Sequence, residues 1–299
     1  MIDVCLLGTG GMMPLENRWL TACWIEYEGS AILIDCGEGT QIAARAADCK
    51  LSRLDTLLVT HLHADHIAGL PGLLLTLGNA GKTTPLNIYG VAGTKRVVDA
   101  LSVIAPGLEY EVNVTELPKT CDSFKAGRLQ VAYMPVKHRV PCMAYRVTLK
   151  RPPVFNPEKA AALDIPKPMY KILHSGNEIT LDDGRTVTPD EVLDGARDPL
   201  SVCYCTDTLY FDELADFAYG SDLLISEGMY GTEDMREKIT DKRHMLFSDS
   251  AKIARDAQVK KLWLTHYSPA LIRPSENIAD ARKIFPNTVC AYDGIKAEL

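Results

Sequence analysis

The seven-residue stretch Thr60-His61-Leu62-His63-Ala64-Asp65-His66 holds three of the chain's seven histidines and an aspartate. Imidazole and carboxylate side chains at that density suit zinc or a similar divalent cation. His61 and His63 are two apart, so in an extended segment both point to one side. Asp65 and His66 follow where the chain has begun to turn, and they can face a second point nearby. A polar loop with several histidines is the alternative. Three of seven histidines within six residues argue against it.

The setting of this cluster repeats along the chain. Leu57-Leu58-Val59 precedes it and reads as a buried strand, while Gly69, Pro71 and Gly72 after it read as turn material. His138 follows the apolar strand Leu129 to Pro135, Asp207 follows Ser201 to Cys205, Glu227 follows Asp222 to Ile225, and His266 closes Lys261 to Thr265. Open α/β sheets place ligands beyond the carboxyl ends of their strands. Leu57-Leu58-Val59-Thr60-His61 and Leu262-Trp263-Leu264-Thr265-His266 echo each other, which predicts two related αβ halves facing across one site. Thr21 to Tyr27 and Ala31 to Cys36 read as a hairpin turning at Gly29. A helix through about Asp48 and the strand Thr56 to Thr60 then complete a βαβ unit. Helices are predicted at Thr94 to Ile104, Ser248 to Ala257 and about Glu276 to Ile284, with a closing strand at Val289 to Tyr292. Gly8-Thr9-Gly10-Gly11 is a glycine-rich turn without the spacing of a dinucleotide loop, and Pro14 interrupts the place of the helix.

A composition of 46% hydrophobic and 24% charged residues is that of a soluble globular chain, here one domain over residues 1–299. With a net charge of −7, any surface for nucleic acid must be local. Nine cysteines, an odd number with no Cys-x-x-Cys pair, fit reduced thiols in a cytoplasmic protein better than a disulfide framework. No signal peptide and no run of membrane-spanning length is evident. Residues 151–199 differ in texture, with seven prolines, nine acidic and six basic residues and a turn at Leu181 to Arg185, and they read as a partly extended insertion.

The His-x-His-x-Asp-His pattern resembles the metallo-β-lactamase superfamily. The order of the later residues is similar to that of the ribonuclease Z family, endonucleases that remove the 3′ trailer from precursor tRNA. The resemblance implies a four-layer αβ/βα sandwich holding two Zn²⁺, with Mn²⁺ or another divalent ion as the alternative. In it His61, His63 and His138 hold one ion, Asp65, His66 and His266 the other, and Asp207 bridges them. Such a pair supports in-line displacement at phosphorus. It further implies that Asp65 takes the proton of the attacking water, that His244 donates one to the leaving 3′ oxygen, and that Glu227 fixes and charges His244. Residues 151–199 would be the arm that clasps tRNA, in a homodimer. The sequence departs from the family where Glu16 replaces a usual lysine and where Ile165-Pro166-Lys167-Pro168 replaces a Gly-Pro arm tip. His174 receives no role. Two alternatives are a phosphodiesterase of other nucleic acids or small-molecule esters on this framework, and a glyoxalase-type thioester hydrolase. The latter would need neither the arm nor the Glu227 and His244 pair.

Overall fold

The structure is a computed structural model describing residues 1–299. Two seven-stranded sheets dominate it. The first contains β1 (Asp3–Gly8), β2 (Ala22–Tyr27), β3 (Ser30–Ile34), β4 (Leu54–Leu58), β5 (Leu86–Gly90) and β6 (Val112–Glu116). The second contains β7 (Asp122–Ala126), β8 (Leu129–Pro135) and β9 (Met143–Leu149). After a two-stranded ladder of β10 (Ile179–Thr180) and β11 (Thr186–Val187), it continues with β12 (Leu200–Cys205), β13 (Leu223–Glu227), β14 (Leu262–Thr265) and β15 (Thr288–Cys290). The last strand, β16 (Ile295–Glu298), returns to the first sheet and pairs antiparallel with β1. Each sheet joins a parallel block, β3 to β6 or β12 to β15, to antiparallel strands.

Strand alternation builds the layers. Cys5, Leu7, Ala31, Leu33 and Leu57 point outward and pack with Ala43, Ala44, Leu73, Leu74 and Val98 of the covering helices. In the second sheet Cys203, Cys205, Leu224 and Leu264 do the same beneath Leu214, Ala251, Ile253 and Ala281. The intervening residues, among them Leu6, Ile32 and Ile34 in one sheet and Tyr204, Ile225 and Trp263 in the other, are just as buried although no helix covers them. Sheet-on-sheet packing explains this. Tyr145 of β9 donates its hydroxyl to the carbonyl of Val59 (2.8 Å), and Met143 donates its N–H to that of Thr60 (3.0 Å), tying the sheets together at the ends of their strands. Each large apolar side chain buried this way contributes about 1.5–3 kcal/mol.

Some elements differ from the sequence reading. Gly69, Pro71 and Gly72 do not make a turn. They open the helix Leu70–Asn79, with Pro71 in its first turn, where its missing N–H costs nothing, and with Leu70, Leu73, Leu74 and Leu77 buried along one stripe. β7 and β16 went unforeseen because both are edge strands with largely solvated, polar sequences.

Residues Leu149–Leu200 form a separate compact unit. It is more helical than an extended segment, with helices at Pro157–Ala162 and Tyr170–His174 beside the β10–β11 ladder. Its own small core includes Ala160, Ile165, Leu173, Val187 and Val192. The prolines suit helix starts here. Asn156 caps the first helix by accepting the N–H groups of Glu158 and Lys159, and Pro157 follows it directly.

Candidate metal centre

The structure brings the predicted residues together: His61, His63, His138, Asp207 and His266 stand just beyond strand ends, Glu227 ends β13, Asp65 and His66 lie in the short helix Ala64–Ile67, and His244 follows the helix Arg236–Lys242. Donor atoms of His61, His63, His138 and Asp207 lie within 4.8 Å of one another, as do those of Asp65, His66 and His266. Asp207 sits between the groups. Its Oδ1 is 3.3 Å from His66 Nε2 and 3.1 Å from His266 Nε2, and its Oδ2 is 3.7 Å from His61 Nε2 and 3.8 Å from His138 Nε2. A cavity of about 350 Å³ opens onto His63, Asp65, His138, Asp207, His244 and His266.

Backbone conformation aims several of these groups. Asp207 and His266 adopt left-handed φ of 54° and 56°, as does Asp35 beyond β3 at 61°. Such conformations cost a non-glycine residue about 1–3 kcal/mol and concentrate at functional sites. His266 also needs Gly11, because a Cβ there would stand 2.6 Å from the imidazole.

Asp35 was not singled out from the sequence. Completely buried, it accepts from Thr60 N (2.8 Å) and Thr60 Oγ1 (2.9 Å) and bonds His66 Nδ1 at 2.7 Å. That bond fixes the proton on Nδ1 and leaves His66 Nε2 as a lone pair aimed at the cluster. His138 is set in the same way, with Nδ1 3.2 Å from the carbonyl of Arg243, while Arg243 Nη1 donates to the carbonyl of His138 (2.7 Å). Asp65 accepts the N–H of Met12 at 2.6 Å. The sequence signal for Asp35 is the one that marks the ligands, a polar residue closing an apolar strand.

His244 lies against the cluster, stacked on His266 at 5.6 Å between ring centroids. Its Nδ1 is 2.9 Å from Glu227 Oε2, and the other oxygen of this fully buried glutamate accepts the N–H of Thr208 at 2.6 Å. Burial alone would lower the His244 imidazole, but the Glu227 carboxylate overrides it and pushes it up to about 9. His244 also falls within 4.8 Å of Asp207 and His266 as a third group with ligand geometry, although Glu227 occupies its Nδ1.

The donor set fits cations. His66 Nε2 faces His266 Nε2 at 3.2 Å, and His61 Nε2 faces His63 Nδ1 at 2.9 Å. Facing ring nitrogens need a proton or a cation between them. Asp207 Oδ1 is buried without a hydrogen bond. Burial opposes its ionisation, yet the surrounding imidazoles, His266 first, hold it well below the usual carboxylate range. A buried anion ringed by imidazoles with converging lone pairs is a ligand arrangement for divalent ions.

Comparison with known proteins agrees with this geometry. A family model described as Anti-Pycsar protein Apyc1 matches residues 2–141. The metallo-β-lactamase fold protein YhfI from Bacillus subtilis superposes with a TM-score of 0.69 at 21% identity, covering 99% of this chain and 98% of that one. The short form of human tRNase Z gives 0.69 at 22%, with the same coverage. The superpositions show the metallo-β-lactamase fold. The ribonuclease Z of Agathobacter rectalis is 47% identical over 299 residues, 100% of this chain and 98% of its own length. The chain belongs to the ribonuclease Z family.

Proposed function

We propose that this chain is the endoribonuclease that removes the 3′ trailer from precursor tRNA. The observation that carries this is the Glu227 and His244 pair set against two His/Asp groups in one cavity, in a chain 47% identical to a protein named ribonuclease Z. We assign His61, His63 and His138 to one Zn²⁺ and Asp65, His66 and His266 to a second, with Asp207 shared. When bound, such ions supply Lewis-acid polarisation of a phosphodiester and of the water that attacks it. Asp65, held by the Met12 N–H, accepts the proton of that water. His244 donates a proton to the leaving 3′ oxygen. Glu227 keeps Nδ1 protonated, so Nε2 is the donating atom, and it stabilises the imidazolium before transfer.

Residues 151–199 are read as an arm serving tRNA within a homodimer, and sedimentation equilibrium tests the dimer. A precursor tRNA substrate goes with a cytoplasmic enzyme. No helix is long and apolar enough to cross a membrane. The acidic balance of the arm favours a second reading, a phosphodiesterase of other esters on the same framework. Incubating zinc-loaded protein with a precursor tRNA and, separately, with bis-p-nitrophenyl phosphate decides between them. Release of the trailer supports the first reading, and hydrolysis of the ester alone supports the second.

A further inference from the structure

Two loops meet beside the metal centre, and each gives the other an arginine. One follows β8 and carries His138 and Arg139. The other closes the helix Arg236–Lys242 and carries Arg243 and His244. Arg243 Nη1 donates to the carbonyl of His138 (2.7 Å), and the carbonyl of Arg243 lies 3.2 Å from His138 Nδ1. Arg139 Nη2 donates to the carbonyl of Asp241 at 2.5 Å. The gap between the loops is thus bridged in both directions. The loop after β8 is itself anchored, because Lys137 donates its N–H to Thr208 Oγ1 and accepts the N–H of Leu209, each at 3.0 Å.

The helix before His244 has few other anchors. Ile239 is its one buried residue, packed with Met229 and Leu246 in a small cluster apart from the two main cores. The last carbonyls of a helix lack intrahelical partners, and that end favours cations. Arg139 and His138 supply donors to two carbonyls there, those of Asp241 and Arg243. Arg243 also holds a left-handed backbone, with φ 61° and ψ 53°. Glycine is the usual residue where a helix closes in this way, because a Cβ is strained in that conformation. What arginine adds over glycine is a guanidinium, and its bond goes to the carbonyl of His138. The same turn delivers the next residue. The N–H of His244 returns to the carbonyl of Ile239 (2.9 Å), and its imidazole meets Glu227 at 2.9 Å and stands 5.2 Å from the His138 ring. One set of bonds therefore bears on two histidines with different work.

We propose that Arg139 and Arg243 are positioning residues whose crossed guanidinium–carbonyl bonds hold the ligand His138 and the acid His244 in one fixed relation; this rests on the roles given to those two histidines above. His138 gains a fixed ring plane and a protonated Nδ1, which turns Nε2 towards the centre. His244 gains a fixed distance from the group that the ion on His138 would polarise, and misplacement of a positioned group by a fraction of a bond length is felt in turnover.

The test uses the full-length protein and Arg243→Gly, which deletes the guanidinium and suits the left-handed backbone. Stability to denaturant should be unchanged or raised, since the side chain is exposed and the strain is relieved. Zinc affinity, read by competition against a chromophoric chelator, should nevertheless fall about tenfold, the lower end for groups that orient a ligand. In the zinc-loaded variant kcat on precursor tRNA should fall by about the same factor or more while KM barely moves. Arg139→Gln should show the same pattern in weaker form and carries the test should Arg243→Gly fail to fold. The double variant should lose less than the product of the single losses, because both bonds serve one relation. Unaltered zinc affinity and kcat would overturn the clasp. So would a rise in KM alone, which marks the arginines as substrate contacts, and a fall in zinc affinity with kcat intact, which cuts the link to His244. Failure of the underlying reading looks different. Zinc affinity that depends on Arg243, in a wild-type protein that leaves precursor tRNA uncut, keeps the clasp on His138 and sinks the nuclease.

Discussion

Thr60 and Thr265 occupy equivalent points in the two halves of the molecule. Each precedes a histidine that follows a parallel strand, and each is fully buried. Their surroundings differ. The Thr60 hydroxyl bonds Asp35, which in turn holds His66. The Thr265 hydroxyl has no hydrogen-bond partner, and neither does Nδ1 of His266. The first half therefore orients imidazoles with a buried carboxylate. The second orients His266 by a left-handed backbone and by close approach to Gly11, and it carries the Glu227 and His244 pair. On the proposed roles both halves supply ligands, the first with His66 braced by a buried carboxylate, and the proton donor His244 with its Glu227 partner comes from the second half alone.

The largest effect that could break this division is at His244. His244→Ala should keep its metal content yet lose about 10²–10⁴-fold in turnover on precursor tRNA, the range for positioned acid catalysis. The loss should be much smaller on bis-p-nitrophenyl phosphate, whose leaving group needs no proton. Equal losses on both substrates, or loss of metal, would move His244 in among the ligands. An acid must be protonated to act, so tRNA turnover should decline as pH rises towards about 9. Cations beside Asp207 would draw that limb lower, and the aryl ester should lack it.

Asp35→Ala comes next, with an expected fall in metal affinity of about 10–100-fold, read by competition against a chromophoric chelator. Unchanged affinity would remove the brace from the account. Gly11→Ala tests the other half, since a methyl there displaces His266. Metal content should drop by about half, as expected if one ion of a two-ion centre is lost. A variant retaining full content would show that the backbone alone suffices to aim His266. The smallest contrast is also the most direct. Thr60→Val removes the hydroxyl donor to a buried carboxylate while keeping the backbone N–H, and should cost about 1–3 kcal/mol in denaturant unfolding. The same change at Thr265 removes a hydroxyl that has no partner and should be neutral or slightly stabilising.

Much of the centre was legible because its chemistry is written in one pattern, a polar residue closing an apolar strand. That pattern picks out His61, Asp207, Glu227 and His266 without knowledge of their neighbours in space. It fits Asp35 equally, but a single aspartate 31 residues before His66 has no nearby imidazole to draw notice. Arg243 was hidden for a different reason. It follows a charged surface helix, and only the folded chain shows its bonds to His138. The helix at Leu70–Asn79 was obscured by Gly69, Pro71 and Gly72 at its start, where local turn chemistry and helix initiation use the same residues. Edge strands such as β7 carry too little apolar alternation to be read before their partners are known.

The pairing of β16 with β1 has a consequence in time. Asp293, just before β16, accepts hydrogen bonds from Thr9 across 284 positions of sequence and from the N–H of Trp19. These bonds pin the turn that continues through Gly11 to Met12, whose N–H holds Asp65. During vectorial synthesis the first residues emerge long before Asp293 exists, so the early sheet lacks its edge and Asp65 lacks its clamp while most of the chain is being made. The support that Asp293 gives this turn is thus available only once the end of the chain has been made.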